Sequence, residues 1–342
     1  MPPSPPPSPA PPRPAAPGRR AIAVVLLVPA LVALALWAFA WPAARTAPRD
    51  LPLGVAGPAS AAAQAEQQLG RQGEAFEIHR YADEAAARAA IEDRTVYGAV
   101  VVTGQGPKLL TASAASPAVA QLLRQAVAER PAGTGAGVET VDVVPAPASD
   151  PRGAALTASV LPLALAGIAT GAAVSLLGLR GVRAVGFLVG AATLVGVVAA
   201  GIAHSWLEAA AGSWWAVAGV LGLSTLAVAG AVAGLGALLG RPGTALGAFL
   251  VMLLGNPFSG AASAPEMLPE PVGAIGQWLP PGAGVSLLRS VSFFGGAGAT
   301  GPALTLAWWA ALGLGAVLLG GALRSRASGA APVAGREPAP IG

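Results

Sequence analysis

Six stretches of the chain carry no charged side chain over at least 24 residues: 21–44, 153–179, 184–207, 209–240, 242–265 and 290–323. A helix needs about 20 apolar residues to cross a hydrocarbon core about 30 Å thick. The pattern predicts spans at Ala21–Trp41, Ala154–Leu179, Ala184–His204, Trp214–Gly240, Gly243–Ala262 and Pro302–Leu323. Residues 45–152 follow a different rhythm. Strands are predicted at Leu51–Ala56, Ala75–Tyr81, Val96–Thr103, Lys108–Ser113 and Val138–Val144. Helices are predicted at Ala59–Arg71, Asp83–Asp93 and Pro117–Arg130, the last capped by Ser116. The fold class expected is an α-helical polytopic membrane protein of six spans, with an extracytoplasmic α/β domain inserted between spans 1 and 2.

Composition sharpens this reading. Of 342 residues, 54% are hydrophobic and 11% charged; soluble domains carry about 25% charged residues, so a soluble enzyme of this length is excluded. The charges also orient the spans. One side receives Arg13, Arg19, Arg20, Arg180, Arg183, Arg241, Arg324, Arg326 and Arg336, against one acid, Glu337. By the positive-inside rule that side is cytoplasmic, and with it both termini. Segments 1–20 and 326–342 are expected to be disordered cytoplasmic tails, the first proline-rich. The length of Ala21–Trp41 favours an uncleaved anchor over a signal peptide. Lys108 is the one lysine against 19 arginines, and alanine, glycine and proline are abundant, a bias that favours a bacterial plasma membrane. Cysteine is absent, which removes disulfides and thiolate chemistry.

Catalytic chemistry is hard to find. His79 sits on a predicted strand between Glu77 and Arg80, and Glu84 and Arg88 form an ordinary i,i+4 pair. No metal-ligand spacing, nucleophile elbow or phosphate loop is present, so no enzyme activity, cofactor, metal or nucleic acid is expected. Only His204 among ionisable residues touches a predicted span, at an interface with Trp206, Trp214 and Trp215, which weighs against ion-coupled transport. Gly167–Gly171, Gly186–Gly190, Gly230–Gly234, Gly236–Gly240 and Gly243–Gly247 repeat the GxxxG spacing. With 46 glycines in the chain, that spacing marks close packing rather than one dimer face.

The segment 256–296 holds six prolines and is read as a broken end to span five, an outer loop, and a short re-entrant helix near Gly284–Phe294. Asn256, Pro257, Gly260, Glu266, Pro280 and Arg289 are the candidate outer gate, with Glu266 and Arg289 facing headgroups or pairing locally.

Two stretches carry a resemblance. Asp83–Val102, DEAAARAAIEDRTVYGAVVV, and Asn256–Leu288, with its Asn256-Pro-Phe-Ser-Gly260, Met267-Leu-Pro269 and Leu279-Pro-Pro-Gly282, are similar to the phage-infection-protein-like branch of type 2 ABC transporter permeases. That resemblance implies export of a hydrophobic or amphipathic substrate, powered by a separate ATP-binding subunit, in a homodimer or paired permease within the lipid bilayer. Cytoplasmic loops at 180–183 and Arg241 are short, which leaves Pro12–Arg20 to contact an ATPase. The alternative is a non-transporting envelope protein whose outer α/β domain binds a partner or surface ligand.

Overall fold

A computed structural model describes residues 17–71, 73–129 and 138–329. The predicted tails fall mostly outside the described residues. Helix α1 (Pro17–Ala44) is longer than the span predicted for it. A five-stranded mixed sheet follows, from β1 (Leu51–Ala56), β2 (Phe76–Tyr81), β3 (Gly98–Thr103), β4 (Gly106–Thr111) and β5 (Glu139–Asp142), in the order β2-β1-β3-β4-β5. Helices α2 (Ala59–Gly70) and α3 (Glu84–Glu92) make the crossovers that keep β1 parallel to both β2 and β3. β3 turns antiparallel into β4 through Gly104 and Gln105, and β4 pairs parallel with β5. Asp83 caps α3 by accepting from Ala86 N at 2.8 Å, and Ser116 caps α4 (Pro117–Ala128) through Val119 N.

The remainder is a helical bundle: α5 (Ala154–Leu176), α6 (Gly181–Ala200), α7 (Trp214–Leu239), α8 (Arg241–Leu250), α9 (Val272–Gln277), α10 (Pro280–Phe293) and α11 (Thr300–Gly329). Among the described residues, five helices are long and apolar enough to cross a membrane: α1, α5, α6 with its extension to Trp206, α7 and α11. Helix α7 is the axis. Two thirds of its apolar window is buried (67%), against 6% for α1 and 22–28% for the others. Glycines let its neighbours touch backbone to backbone: a Cβ on Gly313 of α11 would stand 2.2 Å from the Gly230 carbonyl carbon, and one on Gly196 of α6 only 2.4 Å from Ala218 O. Gly167 and Gly171 of α5 meet Val228 and Val232, whereas Gly186 and Gly190 face open space. The same spacing is thus structural in some helices and idle in another.

The helix predicted over Gly243–Ala262 stops at Gly255, seven residues short of its expected end, where the sequence places a broken end to the span. It has ten α-helical residues and five π-helical ones, about 22 Å at 1.5 Å per residue. Pro257 has no N–H for the next helical bond and its ring crowds the preceding turn. Gly260 then adopts a left-handed conformation (φ 67°) that turns the chain away. Residues 256–267 reach the end of the bundle that carries the sheet, where Ser263 O accepts from Ser116 Oγ and Met267 O from Ala47 N, and α10 starts beside Gly255 and runs back to the same end. Gly284 of α10 lies against Ser224, about 15 Å along α7 from Trp214, while Phe294 at its far end enters the core of the sheet domain. The predicted re-entrant helix begins four residues earlier than expected because Pro280 and Pro281 suit a first helical turn.

The two ends of the bundle are chemically distinct. At one, α5 is fastened to the sheet domain by Asp150, which accepts from the backbone N–H groups of Ala154 and Ala155 at 2.7 and 2.9 Å. At the other lie Arg180, Arg183, Arg241, Arg324 and Arg326.

An apolar cavity beneath the sheet domain as candidate functional site

Helices α5 and α6 both pack on α7 but part from each other towards the sheet-domain end. Two local causes are visible. Pro162, inside α5, cannot donate to the carbonyl of residue 158. Helix α6 widens into a π-helical turn over Gly201–Trp206. The gap is a cavity of about 680 Å³, walled by α5 from Ala155 to Ala166, α6 from Leu194 to Ala203, the connection at Leu207, Ala209 and Ala210, and Leu221 and Leu288. No charged side chain lines it. Ser159 is its one polar side chain, and that hydroxyl is spent on Ala155 O at 2.7 Å.

A smaller void of about 40 Å³ adjoins it and shares Leu156, Ser159, Leu163, Leu221 and Leu288 with its wall. Pro280, Pro281 and Gly284 of α10 close this void, and Ser224 Oγ lies there without a hydrogen-bond partner. It is roomy enough for one water, and the hydroxyl offers a polar contact at the bottom of an otherwise apolar cleft. The chemistry available is shape and hydrophobic burial, with one hydroxyl for orientation.

Above the cavity a polar layer joins the bundle to the sheet domain. Arg289, 6% exposed, donates from Nη2 to Ala261 O at 2.7 Å, and Thr157 Oγ1 donates to the same carbonyl at 3.0 Å. Tyr97 donates its hydroxyl to Glu266 Oε2 at 2.9 Å. Burial, then the adjacent Glu266 charge, push the Tyr97 phenol far above its ordinary range, so it acts as a neutral donor. Arg94 donates to Ser286 O at 2.8 Å and to Ser290 Oγ, and its guanidinium stands 5.3 Å from the centre of the Phe294 ring. Burial lowers the Arg94 pKa, and Tyr97 and Glu266 partly oppose that shift. Ser116 Oγ donates to Ser263 O at 2.7 Å.

The six gate candidates do not converge on one point. Asn256 ends the π-helical turn, and its carbonyl accepts from Ser259 Oγ at 2.8 Å. Pro257 opens a single 3-10 turn that Gly260 ends, and a Cβ on Gly260 would lie 3.0 Å from Pro265 N. Pro280 starts α10 beside the small void. Glu266 and Arg289, expected to face headgroups or pair locally, instead take separate partners, Tyr97 and Ala261; no ion pair joins them among the described residues. A buried guanidinium finds its acceptors in a broken backbone as readily as in a carboxylate.

Sequence reasoning missed Arg94, Tyr97 and Ser263, whose residue types carry no signal, and the cavity itself. Pro162 within a predicted span was the one available hint. His79 contacts Glu77 at 3.4 Å on edge strand β2, and His204 Nε2 lies 3.1 Å from Gly212 O; neither faces the cavity. Among the described residues no cluster of His, Asp and Glu could hold a metal. The chain matches no protein-family model, and comparison with curated proteins and with solved structures finds no similar one.

Proposed function

We propose that the chain is a membrane permease subunit that takes up an apolar or amphipathic molecule in the cavity between α5, α6 and α7, and that it belongs to an ABC-type exporter driven by a separate ATPase chain. The cavity of about 680 Å³ with an uncharged wall is the observation that carries this reading. Its volume lies within the range of small-molecule sites, and lateral access between two apolar helices suits a ligand that arrives from lipid. In this reading the arginine end is cytoplasmic, the sheet domain lies outside, and the chain crosses six times. The fifth crossing is then a half-helix, α8, completed by irregular backbone buried in protein. Coupling to an ATPase would run through the arginine end and the start of α1, because no phosphate loop is present in the chain.

The test uses the full chain in lipid nanodiscs and a fluorescent long-chain acyl probe. Ala199→Phe puts a ring into the cavity wall and is expected to weaken probe binding about tenfold with the thermal midpoint retained. Unchanged binding would defeat the cavity reading. Export is tested separately, by co-expression with candidate ATPase chains. Probe binding without co-purification or stimulation of any ATPase would move the protein to the non-transporting envelope class.

A further inference from the structure

At the arginine end, a second cavity of about 180 Å³ opens between the ends of five helices. Arg180, Arg241 and Arg324 line it, with Ser175, and no acidic side chain does. Arg324 is committed to the bundle: its Nη2 donates to the Gly236 and Ala237 carbonyls at the end of α7. That contact neutralises the negative end of α7 where it borders the cavity. Arg180 and Arg241 have no side-chain hydrogen bond or ion pair among the described residues. They also sit where α6 and α8 begin, and neither helix has a side-chain cap there, so two positive helix ends add to two guanidinium groups. The Ser175 hydroxyl lies on the same wall, 3.1 Å from that of Thr244 just behind it.

Two arginines with open donors, the charge of a third held on the α7 carbonyls, two uncapped helix starts and the Ser175 hydroxyl around one concavity match a phosphate group in charge and in donor number. The surroundings indicate where that phosphate comes from. Leu176, Leu177 and Val182, which flank the cavity in the chain, are 85%, 63% and 79% exposed, and an aqueous surface would leave them bare. We propose that this cavity binds a phosphate group, with an anionic lipid headgroup as its source and free phosphate as the alternative source of the same chemistry. The inference rests on the membrane reading alone and is independent of the apolar cavity.

The experiment is native mass spectrometry and thermal unfolding of the detergent-purified full chain with phosphatidylglycerol, phosphatidylcholine or inorganic phosphate. Phosphatidylglycerol is expected to remain bound and to raise the unfolding temperature, and the double variant R180Q/R241Q to bind it roughly tenfold more weakly. Arg183→Gln, at the same end but outside the cavity wall, is expected to bind as the unaltered chain does. Displacement by inorganic phosphate would place the contact on the phosphate, and a phosphate effect without a phosphatidylglycerol effect would assign the site to a soluble anion. Equal retention of phosphatidylcholine, or undiminished phosphatidylglycerol binding by the double variant, would overturn the proposal. If the double variant does not fold, the single variants carry the same comparison. Acyl-probe binding in the apolar cavity is expected to be unchanged by these substitutions, which keeps the two readings separable.

Discussion

At the scale of single residues, the sheet domain is held by charge pairs at its surface and by part-buried hydrogen bonds at its base. Glu84 shows the surface kind. Its carboxyl is held below the usual carboxylate range, first by the hydrogen bond from Arg88 and also by Lys108. A carboxyl whose folded pKa is depressed contributes stability above its unfolded pKa, near 4.3, and loses it as pH falls through the lower folded value. Glu84→Gln is therefore expected to lower stability slightly at pH 7 and to leave it nearly unchanged in strong acid, where Glu84 is itself protonated, so that the acid limb flattens. Acid unfolding followed by circular dichroism checks this, and an unchanged acid limb would refute it. Tyr97 shows the second kind. Burial keeps its hydroxyl protonated, so it stays a donor to Glu266. Tyr97→Phe is expected to cost about 1 kcal/mol, read as a lower thermal midpoint of the full chain.

At the scale of elements, glycine spacing and proline placement have separate consequences. The parallel pair α7–α11 approaches so closely at Gly230 and Gly313 that even one methyl group must displace backbone. Gly313→Ala is expected to destabilise the bundle by about 1–3 kcal/mol. Gly186→Ala, at a site that meets nothing within 4 Å, is expected to be neutral. Thermal unfolding of both variants in the same detergent decides the matter, and equal effects would show that the α7–α11 crossing is looser than described. Proline acts at helix ends and openings. Pro257 follows the short helix that ends at Gly255, Pro280 and Pro281 start α10, and Pro162 lies where α5 leaves α6. The spacing was visible in the sequence, but which glycines meet a neighbour depends on helix rotation, and glycine is too common here to reveal it.

At the scale of the whole molecule, the sheet domain and the bundle share their cores. One face of the sheet, with Ala56, Ala99 and Leu110, packs with Ile91 of α3 against Phe294, and the other packs Leu51, Leu53 and Leu109 against Ala264 and Met267. The loop read as an outer gate is therefore also the base on which the domain stands. Phe294→Ala is expected to cost about 3 kcal/mol and to raise amide exchange in β3 and β4 as well as in α10. Exchange confined to α10 would show that the domain stands without it. The sequence by itself determined the membrane class, the long apolar helices and the strands of residues 45–152, because charge depletion and hydrophobic period are local properties of the chain. Tertiary structure alone decided that α7 is the axis, that Arg289 turns to a carbonyl and Glu266 to Tyr97, and that α5 and α6 part around a cavity. Each of these depends on which faces meet across long stretches of chain, and an apolar helix, hydrophobic on every side, does not record its partners in its own pattern.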